Sequence, residues 1–148
     1  MEKRNLGNTG TKVGALGIGA MSFSDFYGPT NTQESHAILK MALDNGIDHI
    51  DTAKVYGMGL SEERIGQFLN TLNPNDRQFF KIATKGGIDR KNFDDKGTVV
   101  FDNSKEFLTE ELNNSLKRLG VDCVELYYVH RREADRSCLL YTSPSPRD

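Results

Sequence analysis

His49-Ile50-Asp51-Thr52-Ala53-Lys54-Val55-Tyr56-Gly57 decides how this chain is read. The apolar-flanked run Ile47–Asp51 predicts a strand. The glycine-bounded turn after it leads into Ser61-Glu62-Glu63-Arg64-Ile65, the expected start of a helix. Ser61 is the predicted cap, and Glu62 and Glu63 fall in the first turn, where carboxylates favour the positive end of the helix dipole. Asp51 then stands at a strand exit and Tyr56 in the loop just beyond it. In a barrel of alternating strands and helices, strand exits face the active site. Two more polar residues occupy later strand exits: Lys85 in "FFKIATKGG" and His130 in "CVELYYVHR". The expectation is that Asp51, Tyr56, Lys85 and His130 converge on one site.

Upstream, Asn8-Thr9-Gly10 lies between two extended runs and predicts a hairpin. A strand follows at Val13–Gly19. Its Gly17-Ile18-Gly19 is not a dinucleotide fingerprint, because "AMSFSDFYGPTN" forms a loop where the fingerprint needs an immediate helix. Thr32 is the expected cap of a helix that buries Ile38, Met41 and Ala42 and stops at Gly46.

Downstream, Ile65, Phe68 and Leu69 make a buried stripe, "NPNDR" reads as a turn, and Phe79–Gly87 as a strand. Ile88–Asn103 reads as a long polar loop, a length that within a compact domain marks a functional or mobile segment. Ser104 caps a helix whose Leu108, Leu112, Ser115 and Leu119 share a face. Lys117 and Arg118 sit in its last turn, and Gly120 closes it. Cys123–Val129 is a near-continuous apolar run, as a buried parallel strand requires.

Strands thus begin near residues 13, 47, 79 and 122, with helical sequence between one strand and the next. Repeated strand–helix units predict an α/β fold. Four such units are about half of an eight-unit barrel of roughly 250 residues. An open doubly wound sheet would accept the same pattern, but the strand-exit chemistry favours the N-terminal half of a (β/α)8 barrel with an N-terminal β-hairpin.

With 148 residues the chain is long enough for one domain with a real core. A formal charge of -2 offers no electrostatic case for nucleic acid or an acidic membrane surface. Cys123 and Cys138 make neither a metal spacing nor a disulfide framework, so no metal is expected. The N-terminus lacks the apolar core of a signal peptide, no run reaches membrane-spanning length, and the cytoplasm is the default location.

After His130 the pattern changes. The next crossover helix is expected and does not come. "CLLYTSPSPRD" resembles the translated sequence of a common sequencing adapter. The expected organisation is a partial barrel over residues 1–136 and a non-native, disordered tail over 137–148. The natural alternative is a Ser/Pro-rich disordered tail.

The four polar residues have a joint chemistry. A free tyrosine titrates at about 10 and is a poor proton donor near neutrality. A neighbouring ammonium stabilises the phenolate, and Lys85 is the candidate for that role. Asp51 would hold Lys85 charged and aimed, and His130 would hydrogen-bond a bound carbonyl oxygen. Such a site suits reduction of C=O by a hydride donor, which a cofactor must supply.

These residues bring a family into view. "GIDHIDTAKVYGMGLSEERIGQFL" resembles the signature segment of aldo-keto reductases, and "IATKGG" and "YYVHR" resemble that family's lysine and histidine segments. "LGIGAMSFSDFYG" and "SLKRLGVDCVELYYVHRR" are also similar to it. "ELYYVHR" and "FDNS" resemble the branch acting on pyridoxal-like or general aldehydes and ketones. The resemblance runs from Arg4 to Arg132.

It implies a (β/α)8 barrel using NADPH to reduce a small carbonyl substrate, with Asp51, Tyr56, Lys85 and His130 catalytic and Tyr56 the proton donor. It implies that Gly19, Ala20 and Met21, with Asp51, lie near the nicotinamide. Phe23, with Tyr56 and His130, would line the substrate pocket. It also implies that a full-length parent is the active form and that this chain, lacking four further strands and most of the cofactor cradle, is inactive. Two other readings stand beside it: a regulatory or binding protein on the same fold, like ion-channel subunits that resemble this family, and a truncated assembly artefact.

Each residue also has a bland explanation alone. Asp51 with Lys85 reads as a structural ion pair, Tyr56 as a loop tyrosine packed on Met58, and His130 as a satisfied strand-end histidine. Lys54 reads as solvated, Cys123 as a small core residue, and Asp89, Arg90, Lys91, Asp94, Asp95 and Lys96 as a solvated loop. Four matches at three successive strand exits favour the joint reading.

Overall fold

Asn8-Thr9-Gly10 does turn the chain. In the computed structural model, which describes residues 1–93 and 99–131, β1 (Lys3–Asn5) and β2 (Lys12–Gly14) pair antiparallel, with Gly10 left-handed at φ 78°. One carboxylate ties this hairpin to the body. Asp48, 2% exposed, accepts the Gly14 N–H at 2.6 Å and the Lys3 ammonium. Burial pushes the Asp48 carboxyl up, but the bonds from Lys3 and Gly14 outweigh it and hold the group below its usual range.

The main sheet is parallel. β3 (Gly17–Gly19), β4 (His49–Asp51), β5 (Lys81–Gly86) and β8 (Leu126–Val129) pair in that order. Gly19, Asp51, Ala83 and Leu126 stand side by side in register. The crossovers are α1 (Thr32–Asp44), α2 (Leu60–Leu69) and α4 (Lys105–Leu119). Helix α1 packs on α2, and α2 on α4, so the helices form one continuous layer. A doubly wound sheet reverses its strand order to place helices on both faces. The described order runs forward without reversal, as a barrel requires.

Leu39, Ile50, Ile65, Phe68, Ile82 and Leu119 fill the space between sheet and helices. Helices α2 and α4 touch backbone to side at Gly66, where an added Cβ would lie 2.2 Å from the Arg118 carbonyl oxygen. A polar network is buried in the same layer. Glu62, 0% exposed, accepts from Thr84 Oγ1 at 2.6 Å and from Arg118 Nε at 2.7 Å, and Arg118 also donates to Ser115 Oγ at 3.1 Å.

Several local expectations are corrected. The cap of α1 is Asn31, not Thr32: its side chain accepts from Glu34 N while Glu34 reaches back to Asn31 N, a full capping box. Ala42 faces the core as expected, but Ile38 and Met41 are exposed, and Ser35 and Leu39 are buried in their place. Ser61 is not a cap. Gly59 occupies the cap position, and the Ser61 hydroxyl is buried, donating to the Ala20 carbonyl at 2.8 Å and meeting Thr52 Oγ1 at 2.9 Å.

"NPNDR" opens a short helix, α3 (Pro74–Phe79), capped by the Asn73 side chain, which takes Phe79 out of the strand. The supposed loop after Gly87 contains β6 (Ile88–Phe93) and β7 (Val99–Phe101), which pair antiparallel. Asp89 within it is buried rather than solvated. Cys123 is exposed, because the strand begins only at Leu126. Asp94, Asp95, Lys96 and the tail, with Cys138, lie outside the described residues. The cap and stop of α4, Ser104 and left-handed Gly120, stand where expected.

Arg118→Met would leave the Glu62 carboxylate buried without its cation. The expected loss of stability is about 3–5 kcal/mol, the range for breaking a buried pair from one side. Urea unfolding measures it. A loss under about 1 kcal/mol, as for an exposed pair, would show that Glu62 does not depend on Arg118.

Candidate active site

Tyr56 is aimed by the turn that follows it. Gly57 (φ 64°) and Met58 (φ 56°) are both left-handed. At Gly57 an added Cβ would also press within 2.8 Å of Ser24 Cβ, so this position combines a glycine conformation with a close approach. The Ser61–Ala20–Thr52 bonds lock the exit of β4 to the exit of β3 beside it. Met58 is 47% exposed, so burial against it is not what holds Tyr56.

The end of β5 supplies Lys85, two residues beyond the row shared with Asp51. Its ammonium donates to the Asp51 carboxylate, to the Thr52 carbonyl at 3.0 Å and to the Tyr56 hydroxyl at 3.1 Å. It also stands 4.9 Å from the centre of the Tyr56 ring. His130 follows β8, its N–H donating to the Gly86 carbonyl at 2.8 Å. Its ring meets the Tyr56 ring edge-on, with centroids 5.8 Å apart and planes at 88°. The structure therefore brings all four strand-exit residues together.

His130 is held neutral. Burial lowers its pKa first, the charges of Lys85 and Arg131 lower it further, and Asp51 opposes them. Its Nδ1 is buried without a hydrogen-bond partner among the described residues.

Beside Asp51 and Tyr56 opens a cleft of about 440 Å³, whose walls include Gly17, Gly19, Ala20, Met21 and Tyr27. Gly19, Ala20 and Met21 thus border the same space as the catalytic candidates. A Cβ on Gly19 would meet nothing within 4 Å, so the cleft is open to the backbone there. Phe23 is different: it is 1% exposed and packs in the core, bordering a second cleft with Tyr27 and Ile38.

Sequence reasoning missed three participants. Thr52 contributes a backbone carbonyl, which no residue type announces. Tyr27 had a signal, an aromatic beside Gly28 in the loop leaving β3. Lys54 is 8% exposed rather than solvated, and pairs with Glu111. Among the described residues no group of His, Cys, Asp and Glu could hold a metal ion, and no helix is long and apolar enough to cross a membrane.

The family model described as Aldo/keto reductase family matches residues 15–141. The chain belongs to the aldo-keto reductase family, and its sheet and helices form the N-terminal half of a (β/α)8 barrel.

It is 36% identical over 128 residues to the aldo-keto reductase yakc of Schizosaccharomyces pombe, whose name carries NADP(+), covering 86% of this chain and 36% of that one. It is 35% identical over 130 residues to L-galactose dehydrogenase of Arabidopsis thaliana, covering 88% and 38%. Among solved structures it superposes on the holo form of aldo-keto reductase AKR11C1 from Bacillus halodurans with a TM-score of 0.75 and 33% identity, over 93% of this chain and 42% of that one. The chain thus spans well under half the length of these relatives.

The pKa of His130 is depressed in the fold, so the unfolded chain takes up this proton first. Stability from this group is present above the ordinary histidine value of about 6.5 and is lost as pH falls through the folded value. A histidine nitrogen titration should place the His130 midpoint below that of a free histidine, and Lys85→Met should move it upward. A midpoint at or above the free value would mean that burial does not hold the ring neutral. One unmoved by Lys85→Met would mean that the Lys85 charge does not act on it.

Proposed function

We propose that the protein, as a complete barrel, is an NADPH-dependent reductase of aldehydes or ketones. The observation that carries this reading is the Lys85 ammonium, hydrogen-bonded at once to Asp51 and to the Tyr56 hydroxyl, with a neutral histidine against the same ring. A bare structural ion pair has no need of the tyrosine. A carbonyl reduction needs an acid that can give up a proton as negative charge grows on oxygen, and a cation beside it that stabilises what remains.

The residues fit the reactive end of a nicotinamide. Gly19 presents open backbone, Met21 is half-buried, and Asp51 and Tyr56 border the same cleft. Gly19, Ala20, Met21 and Asp51 would hold that ring, which when bound supplies the hydride.

The chain's own residues do the rest. Asp51 and the Thr52 carbonyl orient the Lys85 ammonium towards Tyr56. Tyr56 donates its hydroxyl proton to the substrate oxygen while Lys85 stabilises the phenolate left behind. Neutral His130 hydrogen-bonds the same oxygen and fixes which face is presented. Phe23 lies behind this surface in the core, and its part in the substrate wall is indirect.

In the full-length protein, reduction of a nitrobenzaldehyde followed by NADPH absorbance tests the reading. Tyr56→Phe should lower kcat by about 10²–10⁴-fold, the usual contribution of a positioned general acid, with nicotinamide affinity nearly unchanged. Lys85→Met should be similarly damaging, and the double variant little worse than either, because the two act as one unit. Wild-type kcat in Tyr56→Phe, or losses that simply multiply, would require another proton donor.

A further inference from the structure

Lys54 stands between Asp51 and Tyr56 in the chain, and the reaction as described does not use it. Its ammonium is nonetheless withdrawn from solvent and meets Glu111 Oε1 at 3.0 Å. The other oxygen of Glu111, Oε2, is buried without a hydrogen-bond partner among the described residues. The cations and donors nearby are otherwise engaged: Arg118 with Glu62 and Ser115, and the Tyr127 hydroxyl with the Leu108 carbonyl at 3.2 Å. Among the described residues Lys54 is therefore the charge that compensates Glu111.

The location of this pair matters more than its charge. Glu111 lies where α4 abuts the end of β5: a Cβ added at Gly86, the residue after Lys85, would come within 3.3 Å of Glu111 Cβ. Gly86 in turn accepts the His130 N–H. At the other end, Lys54 begins the turn that presents Tyr56. Within that turn the backbone bonds are Tyr56 N–H to the Ala53 carbonyl at 3.0 Å and a long Met58 N–H to the Val55 carbonyl at 3.5 Å, and Lys54 N–H reaches the Lys85 carbonyl of β5 at 3.4 Å. The turn then runs into two left-handed residues. A buried ion pair adds little net stability over an apolar pair of the same size, but it has a direction that an apolar pair lacks.

We propose that Lys54 is a positioning residue: its ion pair with Glu111 holds the turn of residues 53–56 so that the Tyr56 hydroxyl stays within reach of Lys85. The proposal rests on Tyr56 as the proton donor for its catalytic consequence, and on geometry alone for its structural one.

Three variants of the full-length protein test it: Lys54→Met, Lys54→Arg, and the double Lys54→Met with Glu111→Leu, which leaves no unpaired buried charge and so guards against simple unfolding. Two readouts are taken, kcat against KM, and the nuclear Overhauser contact between the Tyr56 and His130 rings. The expected result is a fall in kcat of about tenfold to a hundredfold, as for a misplacement of about 1 Å, with KM little changed. The ring contact should weaken in Lys54→Met and in the double variant, and Lys54→Arg should restore both readouts. A folded double variant that keeps kcat and the ring contact overturns the proposal. If the wild-type protein shows no turnover, the reductase reading fails, and the ring contact alone decides the role of Lys54.

Discussion

The site depends on one ammonium group. Lys85 is drawn inward at the end of β5 and satisfies three acceptors from a single neighbouring segment: the Asp51 carboxylate, the Thr52 carbonyl and the Tyr56 hydroxyl. A lysine side chain 14% exposed would be costly to keep charged without such partners. The same three contacts fix the path of the chain from β4 into the Tyr56 turn. Charge satisfaction and the geometry of the site are therefore one requirement, and the fold meets it by placing β4 and β5 side by side, in register and parallel.

Behind this surface lies a second tier of buried charge. Glu62 joins α2, α4 and Thr84 of β5 through Arg118, while Glu111 joins α4 to the Tyr56 turn through Lys54. Asp48 does the same for the hairpin at the other end of β4. Each carboxylate stands where two elements meet. Packing by Leu39, Ile50, Ile65 and Leu119 supplies the apolar burial that drives folding. The buried pairs link the elements that carry the strand exits.

The strand exits were legible in the sequence because the family's short segments put an ionisable residue after each apolar run, at Asp51, Lys85 and His130. What was not legible depended on distant partners or on ambiguous local signals. Lys54 looked solvated because Glu111, its partner, comes from a helix beyond the next strand. Asn31 and Thr32 are both capping residues, and only the reciprocal bond with Glu34 separates them. Asn73 and Pro74 suit a turn as well as a helix start. Ile38 and Met41 lie one residue away from the face that Ser35, Leu39 and Ala42 present to the core. Asp89 read as loop because β6 finds its partner in β7 only after an intervening polar stretch. Phe23, carried over by resemblance, is placed by packing in the core.

The central claim is that an ammonium at the end of β5 makes Tyr56 an effective acid. Chemical rescue tests it most directly. In the full-length protein with Lys85→Ala, turnover with a carbonyl substrate and NADPH would be measured against added methylammonium or ethylammonium, with ethanol as the uncharged control. The account predicts that turnover rises with the concentration of the protonated amine and does not respond to ethanol. No rescue by any amine, or equal rescue by ethanol, would mean that Lys85 fills space rather than supplying the charge.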